Sequence, residues 1–212
     1  MHEHDWPEKL DEAFWNERYS SQTALWSGNP NPLLITETAE LAPGSALDVG
    51  SGEGGDAIWL AKRGWKVTGL DLSVVAIERA AAHAEQNGVG DIEWQQADLL
   101  TWEPPIARYD LVSAQFMHLP HPDRDVVYRG LAGSVAPGGT LLVVGHHVAD
   151  LEAPSKHPQL LGMFFTGDEI AALLTPGEWD IVTNAVLPRT LDEVPGEKPV
   201  HTKDVVFRAR RR

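Results

Sequence analysis

The chain has 212 residues, 31 acidic against 17 basic side chains, no cysteine, and a formal charge of −14 with histidine neutral. A chain of this length buries roughly 70% of its unfolded surface as one domain, and its 42% hydrophobic and 23% charged content is that of a globular protein rather than a disordered or fibrous one. Without cysteine, disulfide frameworks, thiolate zinc sites, iron–sulfur clusters and cysteine nucleophiles are excluded.

The acidic balance repels phosphate backbones, so a nucleic-acid partner would need a local basic patch. The dense candidate is the tail Arg208, Arg210, Arg211 and Arg212, read here as a solvated chain end. The opening MHEHDWPEKLDEAFWNERY has neither the cationic start nor the apolar stretch of a secretory signal. No run approaches the roughly 18 apolar residues of a membrane span. The expectation is a cytoplasmic protein with no membrane and no nucleic-acid partner.

After an acidic, Trp-rich opening, residues 46–50 read as a short buried strand and 55–63 as a helix ended by Gly64. Residues 66–70 form a second strand. Ser73 offers an N-cap to an alanine-rich helix running to Asn87, and 92–95 is a third strand. The rhythm repeats with 109–114 as strand and 123–135 as helix. Pro137-Gly138-Gly139 is then a turn into an apolar strand at 140–145. Strands that are nearly continuously apolar, alternating with helices, indicate a parallel sheet covered on both faces. The last quarter departs from this. A long loop, 149–165, leads to a helix with a capping box, Thr166 and Glu169, which ends before Pro176-Gly177. Two strands follow, 179–187 and 204–209, with no room for a helix between them, so they form an antiparallel hairpin.

The segment LDVGSGEGGDA joins the first strand to the first helix. Its glycines allow a tight turn and a close backbone approach to a ligand, with helix N–H groups aimed at it. Two patterns fit. Gly50, Gly52 and Gly55 give the dinucleotide fingerprint G-x-G-x-x-G; Asp48, Gly50, Gly52 and Gly54 give an acidic G-x-G-x-G form. Both expect an acid at the end of the second strand to take ribose hydroxyls, and Asp71 stands there. A nicotinamide-dependent oxidoreductase and a non-catalytic nucleoside-binding protein both stay open at this point.

Asp48 within the first strand, Ala97-Asp98-Leu99 after the third, SAQFMH at the end of the fourth and APGGTLLVVG at the fifth carry a resemblance to the class I S-adenosylmethionine-dependent methyltransferases, extending from Trp15 to Arg208. The resemblance implies a single Rossmann-like, doubly wound α/β sheet of seven strands, mostly parallel with an antiparallel last strand, in the order 3-2-1-4-5-7-6. The cofactor implied is S-adenosyl-L-methionine, with S-adenosyl-L-homocysteine as product. Asp48, Gly50, Ser51, Gly52 and Glu53 would surround its amino acid end. Asp71, with Leu72 beside it, would take the ribose, and Asp98 and Leu99 the adenine. Backbone carbonyls near Ala114 and Gln115 would hold the methionine amino group. WNERY at 15–19 and LWSGNPNPLL at 25–34 are similar to the lid of the tellurite-resistance and thiopurine methyltransferase-like group. Residues 1–45 would then be a helical lid over a 46–212 core, with Trp26 and Arg18 as contacts to the methionine end, Arg18 in a bidentate pair with its carboxylate.

His118 and His121 follow the fourth strand, and His146 and His147 the fifth, at the rim where open parallel sheets bind ligands. His118 and His146 are candidates for a general base that takes a proton from the acceptor; polar loop groups are the alternative. No metal-ligand spacing is present. Trp59 and Trp65 are expected in the core. Leu160, Leu161, Met163, Phe164 and Phe165 form either an apolar wall over the acceptor or a buried patch on the sheet. The family's Asn/Asp-Pro-Pro-aromatic motif for nucleobase amines is replaced by Gln115-Phe116-Met117-His118, and the cysteines of arsenite methylation are missing. The expected partner is therefore a small-molecule methyl acceptor, and the expected assembly a monomer or homodimer.

Overall fold

The computed structural model describes residues 10–117, 119–148, 162–190 and 201–212. In chain order the elements are α1 (Glu12–Ser20), α2 (Pro32–Thr38), β1 (Ser45–Val49), α3 (Gly55–Lys62), β2 (Lys66–Asp71), α4 (Val74–Gln86), β3 (Glu93–Gln96), β4 (Tyr109–Gln115), α5 (Asp123–Ser134), β5 (Val135–His146), α6 (Gly167–Ala171), β6 (Trp179–Thr190) and β7 (His201–Arg211). They build one seven-stranded sheet in the order β3-β2-β1-β4-β5-β7-β6. All pairs are parallel except those of β7, which runs antiparallel to both β5 and β6.

Alternate residues of the central strands feed two hydrophobic layers, as a pleat buried on both faces requires. Leu47, Val112, Leu141, Val143 and Phe207 pack with Tyr128 and Leu131 of α5 on one face. Ala46, Leu111, Leu142, Val144 and Val206 pack with Ile58 and Leu60 of α3 and with Leu34 of α2 on the other. Trp65 is buried in that second layer as expected, while Trp59 lies only partly within it, its ring under Arg63 at 5.0 Å. Gly69 in β2 is required by a close approach: a Cβ there would collide with the Trp94 ring.

The caps read from sequence form. Ser73 Oγ accepts from Ala76 N–H at 3.2 Å, and Thr166 and Glu169 make both bonds of a capping box. Helix α6 is shorter than its pattern suggests, because Leu173 and Leu174 bond back to Ile170 and Ala171 at i−3 spacing, tightening the chain ahead of Pro176.

Two expectations need correction. The Pro-Gly-Gly turn does not precede the fifth strand but is contained in it. Val135 pairs with Tyr109 and Thr140 with Leu111, so the residues between them bulge out around Asp110. The buried Val135 keeps the strand going on the near side of the glycines. The tail is a solvated end only in part: Arg210 and Arg212 are exposed, but the arginines are also paired. β7 continues through Arg211, Arg208 lies 3.6 Å from Glu37, Arg211 Nη1 donates to Val135 O at 2.7 Å, and Arg212 pairs with Asp180 at 2.7 Å. Each guanidinium ties the last strand to a neighbouring element.

Candidate functional site

The carboxyl ends of the parallel strands open into a cleft of about 780 Å³. Its floor is the glycine loop after β1, and one wall is the segment from Trp15 to Leu33. Gly50 and Ser51 donate their N–H groups to Leu70 O at 2.7 and 2.9 Å, and Gly52 N–H donates to Asp71 Oδ2 at 2.8 Å. The loop is thereby pinned to the end of β2. Gly52 has a φ of +53°, and a side chain there would meet the Tyr19 hydroxyl and the Trp26 indole at 3.1 and 3.4 Å. The glycine serves both the turn and the close approach of the N-terminal wall.

Three carboxylates are gathered at this floor. Asp71 accepts from Ser73 N–H at 2.9 Å as well as from Gly52; burial raises its pKa, and these N–H groups hold it back. Asp56, at the start of α3, accepts from Asn31 N–H, yet burial pushes its pKa up to about 6. Asp48 is shifted the same way. Burial and the charges of Asp56 and Asp71 push it well above the usual carboxylate range, and its Oδ2 makes no hydrogen bond among the described residues. Buried carboxylates so placed are destabilised as anions and are relieved by a cation or a donor arriving in the cleft. Ser51 Oγ, also buried, likewise makes no hydrogen bond among the described residues.

Glu53 has a different surrounding. Its Oε2 accepts from Leu25 and Trp26 N–H groups, both at 3.0 Å, while Oε1 meets Arg79 Nη1 at 2.9 Å. Arg79 also donates to Gln22 O at 2.7 Å. This side chain lines the cleft, but its oxygens clasp the N-terminal segment to the glycine loop. Trp26 lines the same wall, half exposed, and its indole N–H donates to the Tyr19 hydroxyl at 3.1 Å.

Leu72, Asp98 and Leu99 line the β2–β3 end of the cleft. Asp98 is exposed and closes a local turn, its Oδ1 accepting from Leu100 N–H at 2.9 Å. Gln115 lines the cleft and is gripped by Asn31 Nδ2 at 3.1 Å; Ala114 is buried within β4 and does not line it. Arg18 also stands apart from the lining, its guanidinium 6.0 Å from the Trp15 ring centroid.

Of the histidines, His146 lines the cleft, whereas His121 and His147 do not; His118 lies outside the described residues. The His146 ring stands 5.0 Å from that of Phe116 and 5.4 Å from that of Phe164. Its Nδ1 is 3.4 Å from Arg189 Nη2 and 3.9 Å from Asp204 Oδ1. Arg189 and Asp204 line the cleft as well, brought there by β6 and β7. In the expected apolar wall, Phe165 is buried against the sheet beneath Tyr128, Met163 and Phe164 are half-buried, and none of the three lines the cleft; Leu160 and Leu161 lie outside the described residues.

Asn31, Asp56, Tyr19, Phe116, Arg189 and Asp204 were not marked as site residues by their sequence context. Arg189 and Asp204 sit in polar stretches whose strand register only the sheet reveals, and Phe116 is singled out by a φ of +51°, invisible in the residue type.

A Rossmann-like sheet with a reversed last strand, carrying an acidic glycine-loop cleft at its carboxyl edge, is the architecture of a nucleoside-cofactor enzyme. A methyltransferase-domain family matches residues 46–139. The chain is 28% identical over 162 residues to the 2-heptyl-1-hydroxyquinolin-4(1H)-one methyltransferase of Mycobacteroides abscessus, covering 69% of this chain and 70% of that relative. It is 34% identical over 157 residues to the ubiquinone biosynthesis O-methyltransferase of Paracidovorax citrulli, covering 70% of this chain and 66% of that relative. The crystal structure of TehB from Haemophilus influenzae shares the fold, with a TM-score of 0.71 at 18% identity over 95% of this chain and 67% of that one. The chain is a class I S-adenosylmethionine-dependent methyltransferase, and S-adenosylmethionine is its cofactor. The likeness to TehB is one of fold.

Proposed function

We propose that this enzyme moves the sulfonium methyl group in-line to an oxygen nucleophile of a small molecule. The observation that carries the reading is the buried, charge-crowded Asp48 with its unbonded Oδ2. The polar groups fit the cofactor, since the methionine end of S-adenosylmethionine brings an ammonium group and a sulfonium, one positive charge in excess of its own carboxylate, to a floor of three carboxylates. When bound, the cofactor supplies an electrophilic methyl carbon; the chain binds, orients and excludes water.

In this reading Asp48, Ser51 and the backbone of Gly50, Gly52 and Gln115 receive the amino acid end. Asp71 and Leu72 receive the ribose, and Asp98 and Leu99 the adenine. Trp26 and Tyr19 close over the loop, held by Glu53. The ubiquinone relative is named an O-methyltransferase, which favours oxygen as the nucleophile, and a cleft of about 780 Å³ is large enough for the cofactor with a small acceptor beside it.

Calorimetry tests the cofactor half: S-adenosylhomocysteine should bind in the micromolar range or better. Binding of NADH in its place would overturn the reading. A screen of small hydroxylated acceptors, read out as S-adenosylhomocysteine formed, tests the acceptor half.

A further inference from the structure

The cleft is electrically polarised. Asp48, Glu53, Asp56, Asp71 and Asp98 line the end formed by β1, β2 and β3. At the opposite end a single carboxylate, Asp204, lines the cleft, paired with Arg189, the one Lys or Arg among the described residues that line it. At about 4.8 Å between neighbouring strands, β5 lies roughly 10 Å across the sheet from β1, with β7 and β6 beyond it.

Arg189 is positioned on several sides. Its Nε lies 3.3 Å from Asp204 Oδ2 and donates to Thr202 Oγ1 at 3.2 Å. Its guanidinium carbon lies 4.8 Å from the Phe116 ring centroid. Asp204 is buried and stands opposite His146 in the β5–β7 register. Phe116 is held in the left-handed region at φ +51°, a conformation costly for a bulky residue and one that concentrates at functional sites. With Nε committed and the plane stacked, Nη1 makes no hydrogen bond among the described residues.

A guanidinium only donates, so Arg189 Nη2 facing His146 Nδ1 makes that nitrogen an acceptor. With Nδ1 facing Arg189, a neutral hydroxyl finds no base at that nitrogen. An oxyanion finds donors.

We propose that Arg189, with His146 beside it, is an oxyanion-binding subsite, and that the methyl acceptor is a planar molecule with an acidic hydroxyl, bound as its oxyanion with its apolar body against Met117, Leu119, Leu187 and Pro188. The inference rests on the methyltransferase reading and names its acceptor class. The hydroxyl proton is released to water on binding. The oxyanion attacks the methyl carbon, the carbon–oxygen bond forms, and the carbon–sulfur pair returns to sulfur, so sulfonium and oxyanion charges cancel into a neutral ether and a thioether. Charge cancellation is favoured in a dry cleft. The ether has lost the charge Arg189 holds, which promotes its release.

The test uses the protein loaded with S-adenosylhomocysteine, whose binding is measured first; failure at that step strikes the methyltransferase reading itself. The loaded protein is then titrated with 4-nitrophenol, followed by the absorbance of its phenolate, and with nitrobenzene as the uncharged comparator. The wild type should prefer the phenolate over nitrobenzene by about tenfold or more and lower the pH at which the bound phenol ionises. Arg189→Gln should bind S-adenosylhomocysteine as before and lose the preference, and Arg189→Lys should keep part of it. Equal binding of the two probes, no binding of either by cofactor-loaded wild type, or an undiminished preference in Arg189→Gln overturns the proposal.

Discussion

Asp56 joins sequence position to measurable behaviour most directly. It lies in the first turn of α3, where the helix dipole favours a negative charge, and it takes the Asn31 N–H; burial still wins and raises its pKa to about 6. A carboxyl raised in the folded state binds its proton more tightly there than in the unfolded chain. Its favourable contribution is complete below the unfolded value, near 3.9, and is lost as pH rises through about 6. Asp48, shifted the same way, adds to this. In Asp56→Asn, thermal unfolding without cofactor should therefore lose part of the wild type's fall in stability between pH 5 and 7. A positive ligand reverses the preference, so affinity for S-adenosylmethionine should rise over the same interval, and calorimetry in two buffers should detect protons released on binding. Asp71→Ala removes the anchor of both Gly52 and Ser73 together with the proposed ribose acceptor. Its cofactor affinity should fall by about 1–3 kcal/mol, measured as a dissociation constant, and an unchanged value would show that the ribose lies elsewhere.

The elements nearest to local rules are the ones most legible in the chain. Ser73 and Thr166 mark helix starts because a short hydroxylated side chain meets an orphan N–H group wherever it stands, and both do so here. The apolar runs of β1, β4 and β5 announce burial on both faces, and the glycine loop with Asp48 and Asp71 announces its ligand class. Long-range register is not written locally. Nothing in PRTLDEV tells that Arg189 will sit beside His146; that follows from Asp204 pairing with His146 and Thr202 with Arg189 once β7 inserts between β5 and β6. Pro137-Gly138-Gly139, opposite the bulge at Asp110, looks like a turn for the same reason, since such glycines look alike whether the strand stops or continues. Thr166→Ala removes one half of the capping box of α6 and should cost about 1 kcal/mol, a drop of roughly 2–4 °C in melting temperature for a chain of this size.

At the scale of the molecule, several of the hydrogen bonds that join the N-terminal segment to the rest of the chain converge on the glycine loop. Glu53 accepts from Leu25 and Trp26, Arg79 bridges Glu53 to Gln22, and Asn31 reaches both Asp56 and Gln115. The cofactor's proposed seat is thus walled by a segment whose latch is part of that seat. A ligand that orders the loop also stabilises the latch, and by linkage anything that loosens the latch weakens the ligand. Removing the guanidinium in Arg79→Ala leaves the buried Glu53 with the two backbone donors alone and frees Gln22. The variant should keep its sheet, because the hydrogen bonds of Arg79 go to Glu53 and Gln22, neither of them in a strand. Hydrogen exchange should then quicken across residues 12–31 while β1, β4 and β5 stay protected. S-adenosylhomocysteine should restore most of that protection, at a dissociation constant several-fold weaker than the wild type's. Exchange that quickens equally in the central strands would mean that Arg79 supports the whole fold, and unaltered exchange over 12–31 would mean that the wall is held by its apolar contacts.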